Sequence, residues 1–180
     1  MTTYAAFLRG VNVGGHNKVP MAALRDLLSG LGYADVRTLL QSGNAVFTST
    51  GTDASAIALE LERAVADRFG FDVRCTVRTA AELRAVADRC PFRPDGHDPA
   101  KLTVTFLAGP ADPTTWDRID PAAYGPDEFR LGEREIYAYT PGGLGRSKLM
   151  PVIDRTGRNL GATTRNWNTV TKLIAMAGDG

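Results

Sequence analysis

Two amphipathic stripes, separated by a pair of short strand-like runs, restrict the fold of residues 1–79 more than any other feature. Leu24, Leu27, Leu28 and Leu31 recur at i, i+3, i+4 and i+7, the spacing of one buried helical face. Pro20 suits the first helical position and Gly32 the stop. Ile57, Leu61, Val65 and Phe69 form a second stripe behind Asp53, a residue type that caps helices. Strand-like runs surround these stripes: Tyr4–Val13 before the first helix, Val36–Leu40 and Ala45–Thr48 between the two, and Phe71–Arg78 after the second. The order is strand, helix, strand, strand, helix, strand. It predicts a ferredoxin-like βαββαβ unit, with both helices on one face of an antiparallel sheet.

The rest of the chain, 80–180, is predicted to form a second α+β unit. Thr79 caps a helix carrying Leu83, Val86, Ala87 and Cys90. Leu102–Leu107 is a strand, Asp112–Tyr124 holds a short helix, and Glu128–Leu131 and Glu135–Tyr139 form a hairpin. Ser147 caps the helix after a glycine-rich loop. Thr163 or Thr164 is expected to cap a final helix, with Trp167, Val170, Leu173, Ile174 and Ala177 on one stripe, packed against the first unit.

Several function classes are excluded or set aside. No apolar run is long enough for a membrane-spanning helix, and Met1-Thr2-Thr3-Tyr4 is not the start of a signal peptide, so a cytoplasmic protein with no membrane partner is expected. Cys75 and Cys90 do not form a C-x-x-C pair and are expected to be free thiols. His16 and His97 are the only histidines, so no metal or other cofactor is expected. No nucleophile elbow, Ser–His or Cys–His pairing, or paired acid–base carboxylates occur, which weighs against an enzyme.

Charge is unevenly distributed although the formal net charge is +1. Met1–Pro20 carries Arg9 and Lys18 and no acid. Pro141–Gly180 carries Arg146, Lys148, Arg155, Arg158, Arg165 and Lys172 against Asp154 and Asp179. The cations lie in loops suited to anions. Arg9, Asn12, Asn17 and Lys18 surround Gly10, Gly14 and Gly15 in a loop that ends at a helix start. That loop fits neither G-x-G-x-x-G nor G-x-x-x-x-G-K-[ST]. Gln41, Ser42 and Asn44 flank Gly43 in a turn whose amides could read polar groups of a ligand. Pro141-Gly142-Gly143-Leu144-Gly145 leads into Arg146-Ser147-Lys148, and Arg146 and Lys148 suit a phosphate. Arg165 and Asn166 precede Trp167 near the final helix. Arg165 is expected in its first turn, where the helix dipole disfavours a cation.

Leu8-Arg9-Gly10-Val11-Asn12-Val13-Gly14-Gly15, Val19-Pro20-Met21, Gln41-Ser42-Gly43-Asn44 and Thr164-Arg165-Asn166-Trp167-Asn168-Thr169-Val170 together resemble the bacterial family DUF1697. The resemblance implies two ferredoxin-like units and no known activity. Its polar positions here are Arg9, Asn12, Gln41, Ser42, Asn44, Arg165 and Asn166, which suggests a shared site.

The expected function is binding of a phosphate-bearing partner on a basic face, with nucleic acid, DNA or RNA, first. The alternative is an enzyme or sensor for a small phosphorylated or carboxylated metabolite held in a cleft between the units.

Overall fold

The computed structural model describes residues 1–178. By its internal contacts the chain divides into two compact units. One is Met1–Arg84 with the chain from Lys172 onward; the other is Ala85–Thr171.

The first unit runs β1 (Thr2–Leu8), α1 (Met21–Gly30), β2 (Ala34–Leu39), β3 (Asn44–Ser49), α2 (Ala54–Phe69), β4 (Cys75–Thr79), and then enters α3 (Ala80–Asp88). The sheet order is β2-β3-β1-β4, antiparallel throughout. This is the ferredoxin-like arrangement. Leu24 and Leu28 of α1 and Ile57, Leu61 and Val65 of α2 close over Tyr4, Ala6, Leu8 and Phe47 to make the core. Asp53 caps α2, its Oδ1 accepting from the backbone of Ser55 at 2.9 Å and Ala56 at 3.3 Å. Gly70 ends α2 in the left-handed conformation, φ 81°. Thr79 and Glu82 exchange hydrogen bonds as a capping box at the start of α3. Pro20 differs by one place from its sequence reading. It precedes α1, and its carbonyl accepts the helix's first bond, from Leu24.

The opening strand is shorter than expected. β1 ends at Leu8, because Gly10 and Asn12 take positive φ, 67° and 56°, and turn the chain. Val13 is therefore not a buried strand residue. It bridges His16 at the tip of a small hairpin and is 63% exposed.

The second unit repeats the topology with β5 (Leu102–Phe106), α4 (Pro113–Trp116), β6 (Glu128–Leu131), β7 (Glu135–Tyr139), α5 (Leu149–Gly157) and β8 (Thr163–Asn166), followed by α6 (Trp167–Gly178). Its sheet order is β6-β7-β5-β8, again antiparallel. Leu107, Trp116, Ile136, Leu149 and Ile153 form its core. At Gly157 an added Cβ would stand 2.6 Å from that of Ala162 and 3.2 Å from the Trp116 ring, so the close approach of α5 requires glycine.

The strand β8 corrects the sequence reading of this region. Thr163 and Thr164 do not cap the last helix; they pair with β5, and the Thr164 hydroxyl meets that of Thr105 at 2.7 Å. β-Branched threonines fit a strand as readily as a cap. Asn166 is the cap: its Oδ1 accepts from the Thr169 backbone at 2.8 Å. Arg165 consequently lies in a strand, opposite Val104, and not in a helical first turn.

The units match each other in detail. Phe7-Leu8 ends β1 and Phe106-Leu107 spans the end of β5, and the Leu8 and Leu107 amides donate to the carbonyls of Gly43 and Arg134 at 2.8 and 2.9 Å. Buried Asn44 and Glu135 open the third strands opposite those phenylalanines. Buried Arg78 and Arg165 occupy the fourth strands, each donating from a guanidinium to the preceding residue's carbonyl.

Candidate anion-binding site

The glycine-broken loop of the first unit is held by its own amides. Asn12 Nδ2 donates to the carbonyls of Val19 (2.9 Å) and Gln41 (2.6 Å), and its Oδ1 accepts from the Val19 backbone (2.9 Å). The carboxamide is thus occupied in closing the loop and fastening it to the turn after β2. Asn44 is fully buried and donates to the Leu39 carbonyl and to Ser42 Oγ, both at 2.9 Å. Gly43 has φ 84°, and a Cβ there would lie 2.6 Å from Val11 and 2.8 Å from Leu8. Gln41–Asn44 therefore packs as a clasp on the end of β1. Asn17 reaches the Gly10 carbonyl at a long 3.4 Å, also from φ 50°. Gln41, Ser42, Asn17 and Lys18 keep exposed side chains, and Arg9 is half-buried beside the Arg74 carbonyl that its backbone amide binds.

In the second unit, Arg165 is only 9% exposed, with a guanidinium nitrogen on the Thr164 carbonyl at 2.9 Å, and Asn166 serves as the α6 cap. Neither lines the cavity at Gly142–Lys148 that Arg146 and Lys148 share.

Arg146 and Lys148 do come together. They line one cavity of about 300 Å³ with Gly142, Gly143 and Ser147 on one side and Ala123–Asp127 on the other. The loop that carries them is anchored at its base, where the Thr140 amide donates to the Lys101 carbonyl and the Gly143 amide to that of Thr140, each at 2.9 Å. Gly143 has φ 93°, a conformation that favours glycine. Ser147 Oγ accepts from the Met150 amide at 3.1 Å, which secures the first turn of α5, and donates to Asp127 at 2.7 Å. The one carboxylate at the cavity is thereby engaged, while Arg146 and Lys148 are exposed. Among the described residues neither has an ion-pair partner.

A second cavity, about 550 Å³, adjoins the first and shares Ala123 and Tyr124 with it. Arg118 and Arg155 line it, again exposed and without an ion-pair partner among the described residues. Its carboxylate, Asp120, accepts from the Ala122 amide at 3.0 Å and caps the short turn Pro121–Tyr124. The arrangement can take anionic groups in both of the cavities that Tyr124 lines, since a guanidinium or ammonium with no internal counter-ion is open to one from solution. Sequence reasoning missed Tyr124, Arg118 and Arg155. The first two belong to the segment 112–124, whose pattern is mixed, and Arg155 joins them only through the turn of α5.

Residues 1–137 match the family described as Protein of unknown function (DUF1697). The chain belongs to DUF1697. The match takes in the loop at Arg9–Lys18, the Gln41–Asn44 clasp and the Tyr124 turn, while Arg146–Lys148 and Thr164–Val170 lie beyond it. Among solved structures, this DUF1697 chain is similar to the conserved bacterial protein SP0830 from Streptococcus pneumoniae. The likeness covers 98% of each chain at 25% identity, with a TM-score of 0.79. It extends the shared α+β fold through the segments that the family match leaves out. No curated protein matches the chain. No helix among the described residues is long and apolar enough to cross a membrane.

Proposed function

We propose that this protein binds a phosphate-bearing partner, nucleic acid foremost, and takes its phosphate in the cavity at Gly142–Lys148. The observation that carries the reading is the pairing of Arg146 with Lys148 on that cavity, both without internal counter-ions among the described residues. Arginine offers a planar fork to phosphate oxygens and lysine a mobile point charge, a combination suited to a phosphate group. Asp127 is the one carboxylate that lines the cavity, so the two cations leave it net positive.

The test is binding of a fluorescently labelled oligonucleotide by anisotropy over a series of salt concentrations. Affinity should fall linearly with salt on logarithmic axes, with a slope of about −0.7 for each phosphate neutralised on a single strand. The double variant Arg146→Ala, Lys148→Ala should weaken binding and flatten that slope. Equal binding by this variant, or no binding at low salt, would overturn the reading.

A further inference from the structure

We infer that the partner is a single-stranded nucleic acid lying along α5, with one base stacked on Tyr124 and a backbone phosphate on each side of it. The inference rests on the phosphate reading above and extends it to the second cavity.

Tyr124 stands where the two cavities meet, and each cavity brings its own pair of cations. Arg146 and Lys148 serve one side, Arg118 and Arg155 the other. Helical spacing sets the distance. Lys148, the residue just before α5 with helical backbone angles, and Val152 and Arg155 within it fall at i, i+4 and i+7, so they follow one face of the helix. Lys148 and Arg155 are then about 10 Å apart along the helix axis. A lone phosphate would leave one pair of cations without a counter-ion. A backbone that carries phosphates on both sides of a nucleoside satisfies both pairs and brings a base to the ring between them. Stacking on an aromatic side chain inside a cationic groove is the general means of holding single strands without reading their sequence. A duplex keeps its bases paired and stacked within the helix, so it can offer phosphates to these cations but no base face to Tyr124.

The experiment compares three ligands on the full chain by anisotropy: a single strand of roughly ten nucleotides, within the usual site size, the same sequence as a duplex, and an abasic sugar–phosphate strand of equal length. The single strand should bind more tightly than either. Tyr124 also packs against the core of its unit, so Tyr124→Leu, which keeps apolar bulk without an aromatic face, is used with Tyr124→Phe, which keeps the face. Tyr124→Leu should weaken the single strand roughly 5- to 150-fold, the range of one base–aromatic stack. It should leave the abasic strand unchanged, and Tyr124→Phe should bind as the parent does. Arg155→Ala should reduce the salt slope by about 0.7. Equal binding of all three ligands, or a Tyr124→Leu protein that binds the single strand normally, would overturn this inference. If Arg146→Ala, Lys148→Ala still abolished binding in that case, the phosphate reading would stand without it. If no ligand bound, both would fall.

Discussion

Asn12 satisfies three backbone partners with one carboxamide, two as donor and one as acceptor. Its positive φ is tolerated because a short amide side chain can bond locally. Replacing it with alanine strips the Val19 backbone amide and the two carbonyls of these bonds. Asn12→Ala should therefore cost about 1–3 kcal/mol of stability, read from chemical denaturation. It should leave oligonucleotide binding unchanged, because the proposed anion site lies in the other unit. Lost binding by a folded Asn12→Ala protein would move the site to this loop. Tyr33 carries a second residue-scale prediction. It is buried and donates to Glu60. Burial first, then the bond to and charge of Glu60, then Cys75, raise its phenol well above the ordinary value of 10.0. The unfolded chain releases this proton near pH 10 while the folded one keeps it, so its contribution is complete below that pH and is lost as pH rises further. The denaturation midpoint should fall as pH rises above about 10, and fall less in Tyr33→Phe. Identical falls would show that Tyr33 plays no part. These residues also show where a sequence stops being informative. An exposed-looking amide in a glycine loop has the same residue type whether it meets a ligand or its own backbone. Only the positions of Val19 and Gln41 decide between the two.

At the scale of elements, the most readable parts were those with a long period. Ile57, Leu61 and Val65 repeat over several turns of α2, and Asp53 caps it as expected. The four residues of β8 offer no such period, and Thr-Thr-Arg-Asn contains the residue types of a cap and of a strand alike. Pairing with β5 decides the matter. The helix that follows takes its cap from Asn166, not from a threonine. Asn166→Ala should thus destabilise the protein by about 1 kcal/mol, as loss of an N-cap does. Denaturation checks this, and an unchanged midpoint would mean that the Thr169 amide finds another acceptor. The candidate site was legible in the same uneven way. Arg146 and Lys148 stand beside a run of glycines in one short segment and can be found by eye. Tyr124 and Arg118 reach the same region from the other crossover of the unit, through contacts that local spacing does not encode.

Across the whole molecule, one plan is used twice and elaborated differently. In the first unit the long connection is the first crossover, residues 9–20 between β1 and α1, while β3 reaches α2 through residues 50–53 alone. In the second unit, β5 reaches α4 through residues 107–112, and the extended, cationic connection is residues 140–148 between β7 and α5. The buried arginines of β4 and β8, and the buried Asn44 and Glu135, hold equivalent places in both. Framework positions are thus shared and the elaborated loops are not. The first unit is also discontinuous in sequence. The chain from Lys172 onward belongs to it, and the Arg37 guanidinium donates to the Met176 carbonyl at 2.5 Å. Met1–Arg84 emerges from the ribosome long before that closing stretch is made. The unit whose strands emerge first must then wait for the entire second unit to be translated before its final helical turns arrive. For this chain, the order of synthesis and the order of completion run in opposite directions.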